Sequence, residues 1–144
     1  MATTYYSAQV TLGDPPRFIG PGNFEVYGSF ALTAALVIND VIQMVKVPPG
    51  ARILDMEIYA DDLDTNVAPS LLLEVGDDGD TDRFIEACTL GQDASFIRGI
   101  QTKAGFCYDS YTAANTIDIK VNTAPATGAA TGDIKMRVTM CVDN

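Results

Sequence analysis

The stretch Asp40-Val41-Ile42-Gln43-Met44-Val45-Lys46-Val47-Pro48-Pro49-Gly50-Ala51-Arg52-Ile53-Leu54-Asp55-Met56-Glu57-Ile58-Tyr59-Ala60 decides the fold. Side chains alternate across an extended backbone, so Val41, Gln43, Val45 and Val47 share one strand face and Ile42, Met44 and Lys46 the other. After the prolines, Leu54, Met56, Ile58 and Ala60 form an apolar face opposite Asp55, Glu57 and Tyr59. Pro48 and Pro49 fix φ and remove two ladder donors, and Gly50 is free to take a positive φ. Neither strand can run through this hinge, and the chain is expected to turn there into a second sheet.

The same alternation recurs outward from this pair. Leu71, Leu73 and Val75 share a face, as do Ile117, Ile119 and Val121 against Asp118, Lys120 and Asn122. Ile134, Met136, Val138, Met140 and Val142 alternate with Lys135, Arg137, Thr139 and Cys141. Each of the last two is a strand with one wet face. The run from Phe24 to Asp40 reads as strand through its Ala31 to Leu36 centre. Asn39-Asp40 would then fold it back on Val41 to Val47, with Phe24, Tyr27 and Phe30 in the core. Asp77 to Asp82 breaks the next strand as a charged turn, and Arg83 to Cys88 is a short apolar segment, helical or extended. Thr89 to Asn115 is the least regular part, with room for one or two short strands. Thr123 to Gly132 has small side chains and reads as loop. Seven or eight short strands and no strong helix predict an all-β, two-sheet sandwich or jelly roll over residues 24–144. Residues 1–23 hold Pro15-Pro16 and Gly20-Pro21-Gly22, which predict an extended arm rather than helix. That arm either lies on its own domain or reaches a neighbouring subunit.

Composition narrows function. With 144 residues the chain can bury roughly two thirds of its unfolded surface in one domain. Nine Lys and Arg against nineteen Asp and Glu give a net charge of −10, which repels phosphate backbones and argues against nucleic-acid binding. The N-terminus has neither a basic nor a continuous apolar leader region, and no run suits a membrane span. Synthesis in a cytoplasm and solubility are the expectation. Cys88, Cys107 and Cys141 match no metal or redox spacing and are expected to be buried free thiols. The sequence contains no His, which excludes Ser-His-Asp and Cys-His nucleophiles and the usual zinc-water sites.

Candidate sites are few. Asp78, Asp80 and Asp82 place carboxylates at alternate positions around Gly79, as a calcium loop would. The glycine is misplaced for an EF-hand and Thr89 stands where its bidentate Glu would be, so a solvated turn is the competing reading. Asp61, Asp62 and Asp64 form a second acidic run. Glu25, Glu57, Glu74 and Glu86 are available for two-carboxylate glycosidase chemistry, but no pair is singled out. No cofactor cradle is present, and no catalytic residue emerges. Tyr5 and Tyr6, with Pro15, Pro16 and Phe18, are the candidate interface residues of the arm, since flat amphipathic rings add contact area at low entropic cost. Tyr108, Tyr111 and loop carboxylates form the candidate site of an alternative reading, a carbohydrate- or receptor-binding module.

Residues 40–55, followed by Leu63-Asp64-Thr65 and by Val75-Gly76-Asp77 leading to Asp82-Arg83-Phe84-Ile85, resemble the head decoration or cement proteins of tailed bacteriophages. The resemblance covers about the central third. It implies a jelly-roll-like antiparallel β-sandwich that binds the outer capsid surface and clamps adjacent capsomers. It also implies a major capsid protein as partner, a homo-oligomer (dimer or trimer), no cofactor, no enzymatic activity, and a virion location after synthesis in the host bacterial cytoplasm.

Overall fold

A computed structural model describes residues 1–12 and 22–142. Along them run β1 (Thr4–Tyr6), α1 (Ala8–Thr11), β2 (Asn23–Ala31), β3 (Val41–Val47), β4 (Ala51–Ala60), β5 (Leu72–Asp77), β6 (Asp80–Cys88), β7 (Ser95–Arg98), α2 (Lys103–Phe106), β8 (Asn115–Thr123) and β9 (Asp133–Val142). One sheet has the order β1-β3-β8-β5-β6 and the other β2-β9-β4-β7. From β2 onward the pairing is nested: β2 with β9, β3 with β8, β4 with β7 and β5 with β6, all antiparallel. β9 also pairs with β4, and β8 with β5. A four-pair hairpin rolled onto itself in this way is an eight-stranded jelly roll. β1 is an addition at the edge, and it pairs with β3 in parallel, so the antiparallel expectation holds for the eight strands and not for the ninth.

The hinge at Pro48-Pro49-Gly50 is a corner between the sheets. β3 and β4 lie in different sheets, Gly50 takes φ 82°, and its N–H donates to the Tyr111 carbonyl. The core fills the space between the two inner faces, with Ile42, Met44, Val45, Val47, Met56, Ile58, Leu73, Val75, Ile117, Ile119, Val121, Ile134, Met136, Val138 and Met140 buried. Apolar burial on this scale is the main stabilising force.

β3 and β4 each break strict alternation at one β-bulge, and the register of β5 also shifts against β6 and β8. Gln43 faces Asp118 and Val45 faces Ile117, which leaves Met44 as the extra residue. Ile42 and Met44 therefore point inward before the bulge and Val45 and Val47 after it. In β4 the register shifts between Ile53 and Asp55, so Leu54 turns outward and is 40% exposed, against the expectation that it joins Met56, Ile58 and Ala60 in the core. A bulge inserts one residue and inverts the parity beyond it.

Other expectations are corrected as well. Residues 32–40 are not strand, and β2 is in the opposite sheet from β3 rather than in a hairpin with it. Leu32 and Leu36 instead drop into the core while the chain crosses between sheets. Buried Asp40 organises the end of that crossing, its Oδ2 accepting from the Val37 N–H and its Oδ1 from the Thr3 N–H. The arm region contains one helical turn. Ser7 caps α1 by accepting from the Val10 N–H and donates its own hydroxyl to the Met44 carbonyl. The three cysteines are free, but Cys107 is exposed and Cys88 and Cys141 are half-buried. Gly28 is an inward-facing position of β2, and a Cβ there would lie 2.2 Å from the Met44 carbonyl oxygen, so only glycine permits this approach of the two sheets.

Candidate functional site

β2, β9, β4 and β7 present an outward face whose residues line up in rows. Tyr27 stands opposite Arg137, Arg137 opposite Glu57, and Glu57 opposite Arg98. The next row is Ser29, Lys135, Tyr59 and Phe96, and the row on the other side is Glu25, Thr139 and Asp55. Cross-strand neighbours in such rows touch, so four strands far apart in sequence build one surface.

Arg98 reaches Asp55 at 3.2 Å and Glu57 at 3.3 Å, and Arg137 closes on the other oxygen of Glu57. Exposed pairs of this kind contribute roughly 0–1 kcal/mol each, so their main effect is to orient the guanidinium groups. Between them lie three exposed rings: Tyr27 at 51%, Tyr59 at 37% and Phe96 at 79% exposure. The Tyr59 hydroxyl donates to Asp61 Oδ1 at 2.8 Å, which raises its pKa. Asp61 is itself held below its usual value by the Asp133 N–H and then by that hydroxyl. Rings and cations together form a shallow groove of about 420 Å³. Its walls carry Arg98, Lys135 and Arg137, three of the nine basic residues of an otherwise acidic chain. Such a face suits binding. Its carboxylates Asp55 and Glu57 are engaged by arginines.

The candidate residues from the sequence lie elsewhere. Tyr5 packs on Phe30 with ring centroids 5.4 Å apart, and Tyr6 is 52% exposed on edge strand β1. Pro15, Pro16 and Phe18 lie outside the described residues. Among the described residues no three carboxylate, thiol or imidazole groups converge to hold a metal, so Asp78, Asp80 and Asp82 are not brought together as a ligand set. The acidic turn is organised instead by Asp77. Its Oδ1 accepts from the Gly79 and Asp80 N–H groups, and its Oδ2 accepts from Arg83 at 2.6 Å and from the Tyr111 hydroxyl at 2.7 Å. Arg83 also stacks over the Tyr108 ring, 4.0 Å from its centroid. Tyr111 is 2% exposed, so it is part of the core and not an open ligand platform with Tyr108. Asp64 is buried and accepts from the backbone N–H groups of Ser70, Leu71, Ala126 and Thr127, which staples two loops and holds its pKa well below the carboxylate range despite burial. Glu74 is held by Thr81, Lys120 and Asn122.

Sequence reasoning missed the aromatic face. Tyr27 was expected in the core, yet Phe24, Val26, Gly28 and Phe30 take the inward parity of β2 and leave Tyr27 outside. The signal was present in Glu25 and Ser29, which share the parity of Tyr27. Phe96 sits in a four-residue strand too short to show a period.

No family model and no curated protein matches the chain. Solved structures similar to it include three from phage capsids. A chain in the capsid of Ralstonia phage GP4 is 24% identical with a TM-score of 0.81, matching 98% of this chain and 99% of that one. A chain in the capsid asymmetric unit of cyanophage Pam1 is 30% identical with a TM-score of 0.75, matching 95% and 96%. A chain in the acid-stable capsid of Helicobacter pylori bacteriophage KHP30 shares the fold at 14% identity and a TM-score of 0.53, matching 85% and 95%.

Proposed function

The chain belongs to a family of bacteriophage capsid components, and on that premise we propose that it binds the outer surface of the shell and stabilises it by bridging adjacent capsomers. The observation that carries this reading is the aromatic and cationic band on the outer face of the four-stranded sheet. Exposed rings flanked by arginines are the composition of protein interfaces, where aromatics and Arg are enriched. A rigid jelly roll holds that band flat. A net charge of −10 keeps an abundant surface protein soluble and away from packaged nucleic acid. The protein works without a cofactor or catalytic centre, as a dimer or trimer on the major capsid protein. Tyr6, exposed on edge strand β1, supplies its contact to a neighbouring subunit.

Binding is testable by co-sedimentation. Purified protein mixed with heads that lack it is expected to pellet saturably at micromolar concentration. Phe96→Asp places a charge in the centre of the band, and it should weaken binding by about tenfold or more. The variant should keep its melting temperature, because Phe96 is 79% exposed. Equal pelleting of the variant and the parent would remove this face from the interface, and no pelleting of either would overturn the reading.

A further inference from the structure

On the opposite side of the sandwich, the outer face of the five-stranded sheet carries a second recess. Asp118 of β8 stands between Gln43 of β3 and Gly76 of β5. A Cβ on Gly76 would lie 2.0 Å from the Asp80 carbonyl oxygen and 2.5 Å from the Thr81 carbonyl carbon, so the start of β6 folds directly over the sheet here. Under that roof Asp118 is 8% exposed, and its Oδ1 has no hydrogen-bond partner. The strand parity that predicted a wet Asp118 is overruled by this cover. Asp118 lines a recess of about 200 Å³ together with Asp77, Asp78, Gln43, Lys120 and Thr4.

The charges around this recess do not balance. Lys120 is held by Glu74 at 3.0 Å, and Asp77 by Arg83 and Tyr111. Among the described residues Asp78 and Asp118 make no ion pair, β3 offers uncharged Gln43 and β1 offers uncharged Thr4. Thr4, which bounds the recess, lies on edge strand β1, the side assigned above to a neighbouring subunit, and we propose that the recess receives the guanidinium end of an arginine side chain from a neighbouring copy of the protein on the shell, with Asp118 as its principal anchor and Asp78 as the second carboxylate. This assignment rests on the reading of the chain as an oligomer on the shell. A planar cation with several N–H donors gives an orphaned carboxylate both hydrogen bonds and charge neutralisation, whereas a neutral donor gives the hydrogen bond alone. A metal ion is disfavoured because no three ligands converge. Burial, followed by the charges of Asp77 and Asp78 and opposed by a Thr116 hydrogen bond, pushes the Asp118 carboxyl up to about 6. The site is therefore anionic at pH 7.5 and neutral at pH 5.

The test uses the full chain and ethylguanidinium as a probe, followed by amide chemical shifts. Saturable shifts at Gln43, Gly76 and Lys120 are expected at pH 7.5, weakened about tenfold at pH 5 or in Asp118→Asn, the loss of one charge-assisted contact. Calcium should produce no competing shifts at the same amides. Absence of saturable shifts at pH 7.5, an unchanged affinity in Asp118→Asn, or displacement of the probe by calcium would each overturn the assignment, whether or not the protein pellets with heads. Pelleting of the parent with an unaltered Asp118→Asn affinity for heads would sink the recess alone and leave shell binding standing.

Discussion

Asp77→Ala is expected to lower stability by about 3–5 kcal/mol, the cost of removing one partner of a buried ion pair. Asp77 is 1% exposed and accepts from Arg83, from Tyr111 and from two backbone N–H groups of its own turn. Its removal strands a largely buried guanidinium and a buried hydroxyl together. The location amplifies the effect, because this turn joins β5 to β6, the innermost pair of the rolled hairpin. For a domain of this size the loss corresponds to a fall in Tm of roughly 10 °C. Urea unfolding at pH 7 checks it, with Tyr111→Phe as the smaller companion at about 1 kcal/mol. A loss under about 1 kcal/mol for Asp77→Ala would contradict this description of the turn.

Asp118→Asn is expected to do the reverse and stabilise the isolated protein at pH 7.5, by up to about 3 kcal/mol. The sign follows from linkage. The folded carboxyl titrates at about 6 and the unfolded one at 3.8. Between these values the folded state holds the proton more tightly, so the contribution of Asp118 to stability is complete below the unfolded pKa and is lost as pH rises through 6. Asparagine removes that loss and should flatten the pH dependence of stability between 4 and 6. Asp77 acts with the opposite sign: burial pushes its pKa up, but Arg83 and then Tyr111 more than offset this and hold it below 3.8, so its stabilisation disappears as pH falls through the acid range. Chemical denaturation from pH 4 to 8 separates the two. A destabilised Asp118→Asn at pH 7.5 would contradict the picture of an uncompensated buried charge. A binding site that costs stability in the free protein is an expected compromise between function and folding.

Much of the fold was legible in the sequence. β9 and the second half of β4 show period-two alternation, and Pro48-Pro49-Gly50 does mark the passage from one sheet to the other. What escaped depends on partners distant in sequence. Met44 and Leu54 look like ordinary members of alternating runs, and only their register against β8 and β9 makes them bulged residues. Leu32 and Leu36 look like strand because loop residues plugged into a core are as apolar as strand residues. Asp118 looks wet because nothing local announces that β6 will fold over it. The aromatic face was hidden for the same reason: Tyr27, Arg137, Glu57 and Arg98 come from four strands spread over more than a hundred positions, and the rolled hairpin alone brings them into one row.

The central claim concerns where the jelly roll sits and what it joins. Difference density between heads assembled with and without this chain, obtained by electron cryomicroscopy at a resolution that separates capsomers, tests it most directly. The expected result is a sandwich-sized density on the outer surface that crosses the boundary between adjacent capsomers, with the face of Tyr27, Tyr59 and Phe96 against the shell. Density inside the shell, density confined to a single capsomer, or no difference between the two maps would contradict it.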